Sequence, residues 1–220
     1  MRTIILSIFN LMICVITSAQ IIDNYGIKIG MGLSNQYWKF KAFSDLSDWN
    51  DYKIGFTGQL YVEKYIGKNI TLRPVMGYIQ KGYAGDIIVR NEDRYELKDN
   101  KLVLHNISLD LSTNIIPFQT SFRPYLIIGF RVDYLIDYKY IIYDLQGEDL
   151  VMDLNTFDNF NKLLFSGLLG IGIAYKDFIF LEFEYNPAIT KNLDDSGLAI
   201  TDIYFDLTLG TSINKIIKKE

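Results

Sequence analysis

His105 is the single histidine of the chain, and imidazole is the side chain most often used as a general base near neutral pH. A hydrolase built on it would also need a nucleophile, such as a serine, and an acid that orients the ring. No serine of this chain lies in a recognisable nucleophile motif. His105 falls on the apolar face of a predicted strand, which favours an interfacial position. We therefore predict no catalytic residue and a non-enzymatic protein. The alternative is that the protein is an enzyme.

Carboxylates are the second group that could do chemistry. Asp194 and Asp195 are adjacent, as in a carboxylate dyad, but neighbouring acids in a loop are more typical of a solvated surface. Calcium needs six or more oxygen ligands, and the spacing of Asp45, Asp48 and Asp51 does not match an EF-hand loop. The sequence therefore predicts no metal site and no cofactor.

Charged residues of both signs recur at every second position of several segments. Positions two apart share one face of a strand, so these charges lie on a common face. If that face is enclosed in a narrow lumen, opposite charges can pair there. The residues assigned to this lumen charge network are Lys28, Lys53, Glu63, Arg73, Asp110, Arg131, Asp133, Glu182, Glu184, Asp202 and Asp206.

Eight segments alternate between apolar and polar residues and are predicted to be the strands that position these charges. In the first of them, Tyr25, Ile27 and Ile29 share one face, while Gly26 and Lys28 share the other. The predicted strands are Tyr25–Leu33, Tyr52–Tyr65, Ile70–Gly82, Leu102–Asn114, Arg123–Leu135, Lys162–Tyr175, Phe178–Ile189 and Ile200–Ile213.

The connections between these strands are alternately short and long. The long ones cover about 34–51, 83–101, 136–161 and 190–199, whereas only Lys176 and Asp177 join the sixth strand to the seventh. Short periplasmic turns and long external loops alternate in this way in outer-membrane barrels. The sequence therefore predicts an all-β fold, an eight-stranded antiparallel up-and-down transmembrane β-barrel.

The first 19 residues have the features of a secretory signal. Arg2 is followed by an apolar core and by Thr17-Ser18-Ala19, which resembles a signal-peptidase site. We predict a signal peptide at 1–19 and one barrel domain at 20–220, exported to the outer membrane of a Gram-negative bacterium. Cys14, the single cysteine, leaves with the signal, so disulfides are excluded.

Alternation alone does not say which face is inside. A soluble lipocalin-like carrier would turn its apolar face inward to line a ligand cavity. Here the polar face carries a nearly balanced set of charges, and tyrosines cluster near strand ends, as in the aromatic girdles of membrane barrels. Both features favour a polar lumen and an apolar face against outer-membrane lipid. The net charge of −4 argues against nucleic acid as a partner.

Two motifs resemble the PorT-like outer-membrane β-barrel family, whose members are often called porin family proteins. One is the opening strand Tyr25-Gly26-Ile27-Lys28-Ile29-Gly30-Met31-Gly32, which follows Ser18-Ala19-Gln20, and the other is Arg123-Pro124-Tyr125-Leu126-Ile127-Ile128-Gly129-Phe130. The resemblance covers essentially all of 20–220 and implies the fold, the location and a link to secretion machinery. The chain departs from it at its end, where Ile213–Glu220 lacks the terminal aromatic residue common in such barrels.

We predict a non-enzymatic surface protein whose barrel anchors it and whose long external loops contact a protein partner. Aromatic residues among acidic ones in those loops are the expected contact residues, namely Trp38, Trp49, Tyr83, Tyr95, Tyr140 and Tyr143. The alternatives are an outer-membrane-embedded hydrolase acting on lipid or peptide and, less favoured, the soluble lipocalin-like carrier.

Overall fold

The described part of the chain is almost entirely β-strand. The computed structural model describes residues 22–41, 47–91, 94–143, 149–152, 159–176 and 178–214, with the side chains of 47–49, 87–91, 94–98 and 149–152 left aside. The predicted signal at 1–19 lies outside these residues. The strands are β1 (Asn24–Phe40), β2 (Ser47–Trp49), β3 (Lys53–Tyr65), β4 (Ile70–Asn91), β5 (Arg94–Ile115), β6 (Phe122–Tyr143), β7 (Asp149–Met152), β8 (Leu163–Tyr175), β9 (Ile179–Pro187), β10 (Leu193–Asp194) and β11 (Leu198–Ser212).

Eight of these strands form a closed antiparallel ring in the order β1-β3-β4-β5-β6-β8-β9-β11. The ring closes because β11 pairs with β1 from Gly26↔Ser212 to Phe40↔Leu198. Three short strands, β2, β7 and β10, pair with β1, β6 and β11. The predicted all-β antiparallel sheet with a ring of eight strands is confirmed. Among the described residues, no helix has the length and apolar character needed to cross a membrane.

A belt of apolar side chains covers the outside of the ring. On β1 and β3, Met31 and Ile54 are 60% and 67% exposed, whereas Lys28 and Lys53 on the opposite face of the same strands are buried. Phe122 and Tyr175 pack against each other near the end with short turns, with ring centroids 4.8 Å apart. The lipocalin-like alternative placed the apolar face inside and is wrong on this point, because water would have to cover the whole belt.

Three strands are much longer than the sequence analysis predicts. β4, β5 and β6 each have 22 residues and continue past the belt at the predicted external end, so most of 83–101 and the start of 136–161 are strand and not loop. A β-bulge and a change from polar to apolar inward residues explain the error. The β5–β6 register shifts at His105/Asn106, where Leu135 pairs with Asn106 and Asp137 with His105. On β6 the bulge exchanges the two faces, so Tyr140 and Ile142 turn inward. On β5 the inward positions stay the same, but Leu102 and Leu104 replace the polar residues there, so the expected pattern breaks on both strands. We call this part of β4–β6 the external extension.

Candidate functional site: the lumen and the external extension

Arg131 on β6 is the centre of the lumen charge network. Its guanidinium is fully buried and binds Asp110 in bidentate fashion, with Nε to Oδ1 at 2.7 Å and Nη2 to Oδ2 at 2.8 Å. It also donates to Glu184 and to Asp206, each at 3.2 Å. β5, β6, β9 and β11 are thereby joined across the lumen. Four carboxylate contacts on one arginine are consistent with a side-chain-filled interior.

Lys28 and Arg73 extend the network towards the end with short turns. Lys28 Nζ lies 2.7 Å from carboxylate oxygens of both Glu182 and Glu184. Arg73 Nη2 lies 3.0 Å from Glu63 Oε1, and its other amine contacts Glu182. The Arg73 guanidinium also packs over the rings of Tyr61, Tyr125 and Phe180, at 4.9–5.6 Å from their centroids.

The remaining predicted lumen residues lie nearer the external end. Asp133 pairs with Lys81 at 2.6 Å, a lysine that sits at an inward position of β4. Asp202 accepts hydrogen bonds from Gln36 and from Asn192, each at 2.9 Å. Lys53 is buried, but its Nζ has no hydrogen-bond partner among the described residues. The predicted lumen residues therefore lie on the inner face. Among the described residues, Lys53 and Asp202 form no salt bridge with the others.

Inward glycines make this packing possible. The Tyr204 ring lies against the backbone of Gly32, the Tyr125 ring against Gly172 and the Phe180 ring against Gly210. A Cβ at any of these positions would overlap the ring, so the glycines leave space for aromatic side chains inside a narrow barrel. Tyr204 is completely buried and receives cation–π contacts from Lys81 and Arg131.

Above the charge network, apolar side chains fill the lumen of the external extension. Trp38 packs edge-on against Tyr83, with ring centroids 5.5 Å apart, at the border of this cluster. Burial raises the pKa of the hydroxyls of Tyr83 and Tyr140. We call this cluster the external core; its buried members are Tyr83, Leu102, Leu104, Leu135, Tyr140, Ile142, Phe160, Leu193 and Ile200.

The external core corrects the predicted partner contacts. Tyr83 and Tyr140 are each 3% exposed and face the core, so neither offers a surface to a partner. The bulge turned Tyr140 inward, whereas Tyr83 continues the inward face of β4 that carries Ile79 and Lys81. Tyr143 lies near the end of β6 and is partly exposed. Trp49 and Tyr95 lie in strands, and their side chains are outside the described residues.

The candidate catalytic residues are not arranged as a catalytic set. His105 Nδ1 is hydrogen-bonded to the Tyr78 hydroxyl at 2.5 Å and its ring stacks on Tyr78, on the outside of the barrel. Asp194 forms exposed salt bridges with Lys41 at 2.7 Å and Lys191 at 3.1 Å, and these hydrogen bonds lower its pKa, as in a solvated surface carboxylate. Among the described residues, no group of three or more histidine, cysteine or acidic side chains is placed to hold a metal ion.

A comparison with protein families agrees with this fold. The model of a family described as "Outer membrane protein beta-barrel domain" matches residues 18–194. No curated protein matches the sequence.

Similar solved structures include the outer membrane protein OprG from Pseudomonas aeruginosa, with 11% identity, a TM-score of 0.49 and coverage of 88% of this chain and 97% of that one. Ail, the attachment invasion locus protein of Yersinia pestis, has 10% identity, a TM-score of 0.36 and coverage of 85% and 97%. The outer membrane protease OmpT from Escherichia coli has 10% identity, a TM-score of 0.40 and coverage of 86% and 96%.

Proposed function

We propose, because the chain belongs to the outer membrane protein beta-barrel domain family, that it is a non-enzymatic transmembrane anchor that presents its external extension to a partner outside the cell. The apolar belt would face lipid, and β4–β6 would stand above the membrane. The observation that carries the proposal is the filling of the lumen at two levels, by the charge network and by the external core. A diffusion pore needs an open lumen, whereas an anchor does not.

The external extension supports a role in presentation. Its strands are held together by a buried core, so it is a rigid platform and not a set of loose loops. Binding residues commonly lie on segments that a rigid scaffold positions. The PorT-like resemblance adds one class of partner, a protein of a secretion machinery.

Two measurements test the proposal. Purified protein in planar bilayers is expected to give no steady conductance on the nanosiemens scale; such a conductance would contradict a filled lumen. Crosslinking and pull-down from the native membrane are expected to recover a partner from cells with the intact chain, but not from a variant in which a two-residue Asn-Gly turn replaces residues 86–99. Unchanged recovery would move the contact to the turns at the opposite end.

Export through a cleaved signal is part of the same proposal. N-terminal sequencing of protein from the outer-membrane fraction is expected to begin at Gln20. A chain that still begins at Met1 in that fraction would overturn this part without affecting the barrel.

A further inference from the structure

A cleft of about 530 Å³ opens on the external extension, where β3 begins beside the β4–β5 hairpin. An isolated bridge between Asp51 and Ala84 holds the chain before β3 against β4. Apart from Lys53, which takes part in no salt bridge among the described residues, the residues that line the cleft belong neither to the charge network nor to the external core. Its volume is within the range of small-molecule pockets, about 300–1,000 Å³. A binding role for the cleft rests on the proposed function, because it meets an external ligand only if the extension stands outside the cell.

Two buried polar groups that line the cleft lack hydrogen-bond partners among the described residues. Lys53 is 3% exposed and its Nζ has no acceptor, while Asn100 is 6% exposed and its Oδ1 has no donor. A buried polar atom without a partner costs about 1–3 kcal/mol. The cleft therefore contains one group that requires an acceptor and another that requires a donor.

The other polar residues of the cleft carry charges of both signs. Asp86 and Asp99 are paired directly across the β4–β5 hairpin, and desolvation together with the facing Asp99 carboxyl raises the pKa of Asp86. Lys101 lines the same cleft and its charge repels that of Lys53. An anion entering the cleft would meet the three carboxylates of Asp51, Asp86 and Asp99, and a cation would meet the two lysines. A neutral ligand avoids both repulsions.

We propose that this cleft binds a saccharide unit through its hydroxyl groups. A hydroxyl both donates and accepts hydrogen bonds, so neighbouring hydroxyls can accept from Lys53 and donate to Asn100 Oδ1. The carboxylates of Asp86 and Asp99 accept from further hydroxyls at the mouth. Tyr143, which also lines the cleft, offers an aromatic ring to the apolar face of a sugar. The saccharide comes either from a neutral glycan outside the cell or from the neutral hexose units of the lipopolysaccharide around the barrel.

The test uses the full-length protein, purified in detergent, on an array of neutral and acidic glycans, together with the neutral hexose fragment of the core oligosaccharide from the lipopolysaccharide of the producing strain. We expect saturable binding of neutral glycans or of the neutral core fragment, which also identifies the source. Lys53→Met and Asn100→Leu are each expected to weaken that binding at least tenfold. Lys191→Met, on an exposed lysine elsewhere on the external surface, is the matched control and is expected to bind as the unchanged protein does.

Asp99→Asn keeps the inference testable if a buried substitution disturbs folding, because Asp99 is exposed. It removes one charge at the mouth and is expected to weaken the same binding severalfold. Binding of acidic glycans alone, binding unaffected by the three cleft substitutions, or no binding to any of these probes would overturn the inference. None of these results changes the bilayer conductance or the recovery of a protein partner, so the failure of this site and the failure of the proposed function are distinguishable.

Discussion

Replacing Arg131 by methionine is the sharpest test of the lumen charge network. The substitution keeps an unbranched side chain but removes the cation that contacts Asp110, Glu184 and Asp206. Lys28 still pairs with Glu184, whereas Asp110 keeps only the hydrogen bond from Gln59 at 3.3 Å. Removing one partner of a buried ion pair costs about 3–5 kcal/mol, since an uncompensated charge is left behind. We expect a loss in this range, towards its upper end, because three carboxylates lose a partner.

The free energy of unfolding, measured by urea titration in lipid vesicles or detergent with band-shift electrophoresis as the readout, checks this value. The control is Lys191→Met, which removes the exposed contact with Asp194 and is expected to leave unfolding unchanged within error. In the double variant Arg131→Met/Asp110→Asn, the additional loss should be smaller than the loss from Asp110→Asn alone. A loss below about 1 kcal/mol for Arg131→Met would refute the view that these charges are buried and mutually dependent.

Three further predictions address the belt, the external core and the external surface. Met31→Arg in the belt should cost about 2–4 kcal/mol in lipid vesicles, while the same change at exposed Ser196 should cost nothing measurable; equal effects would contradict a lipid-facing β1. Tyr83→Ala should lower the free energy of opening the external extension by about 3 kcal/mol, which would make amide hydrogen exchange there roughly 100-fold faster. The electrophoretic band shift of the folded barrel should be retained, and unchanged exchange would argue against the external core. An NMR titration should find the pKa of Asp194 below its ordinary value, and this pKa should be higher in the Lys41→Met variant. Because folding lowers this pKa, the lysine contacts stabilise the folded protein at pH values above the pKa of the unfolded state. That stabilisation is lost as the pH falls through the pKa of the folded state.

The sequence predicts the ring well because one face of each spanning strand contacts a uniform environment. Tyr25, Ile27 and Ile29 alternate with Gly26 and Lys28 for a simple reason: outward residues contact lipid-like surroundings and inward ones contact each other. The family match supports the outer-membrane class, while the PorT-like assignment and the predicted contact residues stay predictions.

The external extension could not be predicted in the same way, because its polarity is reversed. Beyond the bulge at His105/Asn106, Leu102 and Leu104 face inward and Lys101 lies on the other face. If apolar residues are assumed to face outward throughout, this reversal is mistaken for the end of a strand. Gln36, which binds Asp202, was missed for a related reason, since the predicted first strand ends at Leu33.

The wide sequence separation of the lumen pairs has a consequence for how the barrel folds. Lys28 and Glu184 are 156 positions apart, Arg73 and Glu182 are 109 apart, and the strands that close the ring are the first and the last in the chain order. Such contacts form slowly, because a large loop must close before any of them is gained. Until β9 and β11 arrive, the same charges contact water. These charges therefore help to keep the unclosed chain, with its many alternating apolar residues, hydrated. They become the interior of the protein only when the barrel closes.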